Sequence, residues 1–114
     1  MASIVLEEQN NIIIAELDGE IVLSDVNFLK EKVKSYVADK ANLRLLIDMK
    51  NVEFIDSSGL GMLISWYKMA NEKEGRIVYC CVGDYVKKIM AIAKLDKIFP
   101  LADNKETAME ILSR

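Results

Sequence analysis

The segment Leu43-Arg44-Leu45-Leu46-Ile47-Asp48-Met49 constrains the fold of this chain most strongly. Its apolar residues, Leu43, Leu45, Leu46, Ile47 and Met49, run almost continuously instead of alternating with polar ones. A strand of that kind is buried on both faces, so the sheet that holds it needs helices above and below. The flanking sequence supplies them. Downstream, Asn51 to Ile55 reads as a short extended link, and a helical pattern runs from about Ser57 to Lys73. Leu60, Leu63, Ile64, Tyr67 and Ala70 share one face of that helix, and Gly75 stands where a helix stops.

Upstream, Ser3 to Glu8 and Asn11 to Leu17 read as two strands, with Gln9-Asn10-Asn11 as a hairpin turn. The second strand is expected to continue through Ile21 and Val22, with Gly19 as a bulge or bend. Ser24 or Asp25 then caps a helix whose stripe is Val26, Leu29, Val33, Tyr36 and Val37. Beyond the central helix, Arg76 to Val82 reads as a strand. A helix starting at Gly83-Asp84 buries Val86, Ile89, Met90 and Ala93, and Lys97 to Leu101 forms a short strand containing the only proline, Pro100. A last helix, capped by Asp103 or Asn104, carries Ala108, Ile111 and Leu112. The order ββαβαβαβα predicts a single α/β domain over residues 1–114. Its sheet should be mixed and mainly parallel, of about five strands, with an N-terminal hairpin and about four helices.

Charge and composition exclude several functions. A net charge of −3 offers no electrostatic footprint for nucleic acid. The N-terminal residues lack a basic region and have only three consecutive apolar residues, Ile4 to Leu6, which does not read as a signal peptide. No apolar run approaches the roughly 20 residues of a membrane span. A cytoplasmic location is expected. The chain has no histidine, which removes Ser-His-Asp, Cys-His and His-metal mechanisms. Cys80 and Cys81 are adjacent, so on a strand their thiols should diverge and serve as free core-filling groups. No metal site, cofactor or catalytic residue is expected.

Between the buried strand and the long helix lies Phe54-Ile55-Asp56-Ser57-Ser58-Gly59-Leu60-Gly61-Met62. Asp56 or Ser57 suits an N-cap. Gly59 and Gly61 allow another backbone or a ligand to come close. Free N–H groups and the positive dipole end would favour an anion, including a phosphate on Ser57, although Asp56 beside it would repel one. The segment is neither a P-loop nor a Gly-x-Ser-x-Gly elbow. Residue types and spacing alone favour simple capping over an anion or phosphorylation site, with catalysis last.

The eight residues Phe54 to Gly61 resemble the signature of the STAS domain, in particular that of bacterial anti-sigma factor antagonists. Leu17-Asp18-Gly19-Glu20-Ile21 is similar to the family's Gly-Glu-[Ile/Leu] segment. Leu46-Ile47-Asp48-Met49 resembles its strand before the signature, and Tyr67-Lys68 falls at the usual place within the helix. The resemblance implies a binding protein, not an enzyme. In its unphosphorylated form such an antagonist binds an anti-sigma factor that is also a serine kinase, which frees the sigma factor. The kinase phosphorylates the serine after the signature Asp, and a metal-dependent serine phosphatase resets the cycle. By position that serine is Ser57, with Ser58 the second choice and Asp56, Gly59 and Gly61 as surroundings. Gly19, Glu20, Val22 and Ser58 fall in the implied partner-binding set. Val22 departs from the family, which commonly carries Asp there, and that leaves open a scaffold or transport-associated STAS subunit with no kinase cycle. An enzyme or small-molecule sensor using the glycine-rich corner is the least supported reading. Independently of the resemblance, Met62, Trp66 and Met69 cluster on the helix face opposite the expected core stripe, which predicts a partner-docking surface there.

Overall fold

The computed structural model describes residues 1–114. Its elements are β1 (Ser3–Gln9), β2 (Ile12–Ile21), α1 (Leu23–Val37), β3 (Arg44–Ile55), α2 (Ser57–Glu72), β4 (Arg76–Cys80), α3 (Asp84–Ile92), a 3-10 turn (Leu95–Lys97), β5 (Leu101–Ala102) and α4 (Lys105–Ser113). The strands lie side by side in chain order, β1-β2-β3-β4-β5. Only β1 and β2 are antiparallel; the other pairs are parallel and joined by helical crossovers. The hairpin turn falls within the expected Gln9–Asn11 segment, on Asn10 (φ 54°) and Asn11 (φ 66°). Both need left-handed backbone, which asparagine tolerates better than most residues.

β3 is covered on both faces, as its continuous apolar run requires. Leu45, Ile47 and Met49 join Ile13, Ala15, Leu17, Ile77 and Tyr79 in a core closed by α1, α2 and α3. Leu46 points the other way, with Ile12, Ile14, Val78 and Cys80, into a smaller core closed by Ala108 and Leu112 of α4. The period-two alternation of side chains divides one run between two cores.

Several expectations change. β3 extends to Ile55 instead of giving way to a link at Asn51, because β2 continues alongside it, with Glu20 opposite Phe54 and Ile21 opposite Ile55. Gly19 (φ 102°) does sit at a break in that register, and a Cβ there would lie 2.8 Å from the Met1 carbonyl oxygen. β5 begins after Pro100, which has no N–H to give a ladder. The Pro100 carbonyl accepts from Tyr79 N–H at 2.9 Å, and residues 95–97 coil into the 3-10 turn. Asn104, not Asp103, caps α4, its side chain accepting from Thr107 N–H at 2.8 Å.

The two thiols do not diverge. β4 ends at Cys80, two residues short of Val82, and Cys81 takes a left-handed φ of 63°. That turn breaks the strand alternation and brings the Cys81 S–H to donate to Cys80 Sγ at 3.2 Å. Burial pushes the Cys80 thiol well above the usual range, and the Cys81 hydrogen bond and Asp48 push it further.

Tyr79 anchors α2 to the sheet. Its hydroxyl donates to the Leu63 carbonyl at 2.7 Å, and its ring stacks on Phe99 with centroids 4.5 Å apart. Burial, with Tyr67 nearby, holds this hydroxyl protonated far above the ordinary tyrosine range. Tyr79→Phe is expected to cost about 1 kcal/mol, read as a lowered urea midpoint at unchanged slope. An unaltered midpoint would show that the bond adds nothing to stability.

Candidate functional site

β2 and β3 are parallel neighbours that end together at Ile21 and Ile55. The helices that follow, α1 and α2, therefore start side by side at the carboxyl edge of the sheet, where open α/β sheets generally place their binding sites. Asp56 N–H donates to the Ile21 carbonyl at 3.1 Å, which carries the pairing one residue past the strands.

Asp56 then serves both helices. Its Oδ1 accepts from Gly59 N–H at 3.0 Å, capping α2, and its Oδ2 accepts from Leu23 N–H at 3.2 Å, at the first turn of α1. Neither Ser24 nor Asp25 caps α1, contrary to expectation. The residue at the cap position is Val22, whose side chain makes no capping bond. A carboxylate 33 residues away supplies what the local sequence lacks.

The glycines differ in role. A Cβ on Gly59 would collide with the Ile55 side chain and lie 3.0 Å from Ile21 Cγ2, so the first turn of α2 rests directly on the two strand ends. Gly61 faces open space, and nothing would touch a Cβ there. Ser57, the first residue of α2, is exposed and Ser58 is half-buried. Their N–H groups precede the first intrahelical acceptor, so the corner combines an exposed hydroxyl with free donors and the positive end of the dipole. Both Asp56 oxygens are engaged by backbone, so this carboxylate fixes the corner in place.

Around it the structure assembles a rim. Glu20 is exposed at the end of β2, and Gly19 and Val22 are half-buried beside it. Leu23, bonded to Asp56, is 71% exposed. Phe54 stacks on Tyr85 of α3, with ring centroids 5.6 Å apart, and Tyr85 is itself exposed. The sequence pattern singles out neither Leu23 nor Tyr85, and Phe54 only as the first residue of the signature. The available signal was a large apolar or aromatic residue at a strand end or in the first turn of a helix, positions that usually carry caps and charges.

Met62, Trp66 and Met69 do not form an exposed stripe. Met62 is 1% exposed and Trp66 2%, and Met69 is half-buried. A helical wheel gives the helix one partner, the sheet, but α1 packs alongside it on the same sheet face. The buried set is Gly59, Met62, Leu63, Trp66 and Ala70, while Leu60, Ile64 and Tyr67 of the expected stripe are only half-buried. On α1, Tyr36 is exposed instead of joining its stripe.

Comparison with known proteins identifies the family. The sequence model of the STAS domain matches residues 3–108, and the chain belongs to the STAS domain family. It is 28% identical over 104 residues to the anti-sigma F factor antagonist of Paenibacillus polymyxa, spanning 91% of this chain and 89% of that one. Among solved structures, it superposes on an anti-sigma factor antagonist from Mycobacterium paratuberculosis with a TM-score of 0.89. That match has 24% identity and covers 100% of this chain and 96% of the other. It also resembles the phosphorylated form of the Bacillus cell fate determinant SpoIIAA, with a TM-score of 0.76 and 18% identity over 98% of this chain and 100% of that one. No helix is long and apolar enough to cross a membrane.

Removing the shared cap should destabilise both helix starts. Asp56→Ala is expected to lose about 2 kcal/mol, more than one ordinary N-cap. Asp56→Asn, which keeps one acceptor oxygen, should recover roughly half of that. Chemical denaturation of the two variants checks this, and wild-type stability in Asp56→Ala would contradict the double cap.

Proposed function

We propose that this chain is an anti-sigma factor antagonist whose grip on its partner is switched by phosphorylation of Ser57. The observation that carries the reading is the placement of Ser57. It is an exposed hydroxyl at the first position of α2, directly after the carboxylate that holds both helix starts. Family membership and the named function of the Paenibacillus relative support it.

The partner is an anti-sigma factor with serine kinase activity, and docking of the unphosphorylated protein frees the sigma factor in the cytoplasm. Glu20, Val22, Leu23, Phe54 and Tyr85 form the docking rim, and Gly61 leaves the approach to Ser57 unobstructed. In the kinase step Ser57 Oγ attacks the γ-phosphorus of ATP, the bond to ADP breaks, and the hydroxyl proton leaves. The new group adds about −1.5 to −2 charges. The free N–H groups of α2 can hold it without refolding, while Asp56 repels it. The charge then sits in the middle of the contact, where an unpaired desolvated charge costs several kcal/mol of affinity. A metal-dependent serine phosphatase restores the hydroxyl. The protein is a binding module on which others perform chemistry.

Val22 in place of the family's common Asp favours a second reading, a STAS scaffold without a kinase cycle. The start of α1 itself takes its carboxylate from Asp56 and does not need one at position 22.

Incubation with the partner kinase and ATP, followed by mass spectrometry of the Asp56–Met62 peptide, should place phosphate on Ser57. Ser57→Ala should stay bound under those conditions, and Ser57→Asp should bind at least tenfold more weakly. Phosphate found elsewhere with Ser57 unmodified would refute the switch. For the rim, Leu23→Ala should weaken docking about tenfold, the scale of one apolar interface anchor, at unchanged stability. Wild-type affinity in that variant would remove Leu23 from the interface.

A further inference from the structure

The two cysteines, with one acid, form a separate group on the opposite sheet face. Asp48 of β3 lies in register with Cys80 of β4, and both point toward the face covered by α4. The left-handed turn at Cys81 brings its sulfur back to Cys80, and donor atoms of Asp48, Cys80 and Cys81 all lie within 4.8 Å of one another. Asp48 is buried, and its Oδ1 accepts from Lys50 N–H at 3.0 Å, which holds the carboxylate in place and leaves Oδ2 without a hydrogen bond. Burial pushes the Cys80 thiol up, and Lys105 of α4, paired with Glu16 at 3.5 Å, acts against that rise.

We infer that Asp48, Cys80 and Cys81 form a binding site for one thiophilic divalent cation of the zinc class. Two sulfurs and a carboxylate oxygen make a three-donor set of the kind zinc accepts, with a fourth position left for water. Zinc–sulfur bonds of about 2.3 Å in tetrahedral geometry set the sulfurs about 3.8 Å apart. The present 3.2 Å therefore opens by a small rotation, and a small turn of the carboxylate about its Lys50-bonded Oδ1 brings Oδ2 toward the sulfurs. Both thiols release their protons to solvent as the sulfurs bond the ion. Two thiolates, a carboxylate and a divalent ion then sum to one negative charge, which the Lys105 ammonium, shared with Glu16 at 3.5 Å, offsets in part. Charged ligands are also oriented, as metal sites require, by a backbone donor behind Asp48.

Joining the sulfurs to each other is the competing outcome, and geometry disfavours it. Adjacent residues across a trans peptide have Cα atoms about 3.8 Å apart, inside the roughly 4.4 Å lower end of the disulfide range. An ion between the sulfurs lifts that restriction. It would also fix the short Cys81–Gly83 connection into α3, the helix that carries Tyr85.

The test uses the full chain, reduced and freed of reductant, titrated with Zn2+ for thermal stability and with Cd2+ for the thiolate-to-metal ultraviolet band. One ion per chain, a raised Tm with Zn2+ and a saturable Cd2+ band are expected. Cys81→Ser, at the half-buried position, should abolish the band while keeping the far-ultraviolet circular dichroism of the wild type. Asp48→Asn, which keeps the bond to Lys50, should weaken Cd2+ binding about tenfold. The proposal is overturned by an absent or non-saturating band, by wild-type binding in Cys81→Ser, or by one ion shared between two chains. It is equally overturned if the thiols disappear with loss of two hydrogens in intact mass and no ion retained.

Discussion

One carboxylate holds the working corner of this protein together. Asp56 accepts from the first turns of α1 and α2, and its own N–H extends the β2–β3 pairing. Two helices that begin on adjacent parallel strands have their positive ends side by side, an unfavourable arrangement unless something negative lies between them. Asp56 is that group. Around it Gly59 lets α2 rest on Ile21 and Ile55, and Ser57 stays exposed at the first position of α2. The exposed serine, the free N–H groups and the rim of Leu23, Phe54 and Tyr85 depend on this single cap.

The same arrangement accounts for Val22. Read locally, a valine at a helix start is a poor cap, and against the family pattern it is a departure. With Asp56 bonded to Leu23 N–H, the helix start is satisfied from across the sheet edge. Residue 22 then needs no capping side chain. Val22 lies beside exposed Glu20 and Leu23, so its apolar side chain enlarges the apolar part of the rim.

The two faces of the sheet carry different chemistry. Ser57 begins a helix packed on the larger core. Cys80 belongs to the smaller core beneath α4, with Asp48 opposite it in the ladder. The alternation that divides Leu45 from Leu46 also separates the serine corner from the dithiol. Two segments run from one to the other: β3 itself, from Asp48 to Phe54, and the loop from Cys81 to Gly83, feeding α3 and Tyr85.

Much of this was legible in the residues themselves. The continuous Leu43–Met49 run dictated a sheet covered on both faces, and strand–helix alternation dictated parallel order. The small polar residues after Ile55 marked the helix start that holds Ser57. These are local or periodic properties, set by side-chain alternation and by which groups can satisfy orphan N–H donors. What the tertiary structure alone decided involves contacts between segments distant in sequence. A helical wheel shows which residues share a face but not how many neighbours the helix has, so Met62 and Trp66 read as surface until α1 was placed beside α2. The cap of α1 came from Asp56 because parallel strands end in register, and no local pattern encodes that. The thiols of Cys80 and Cys81 converged because β4 stops at Cys80, leaving Cys81 to turn left-handed. Sequence determined the layers and the serine; the meeting of strand ends determined what surrounds them.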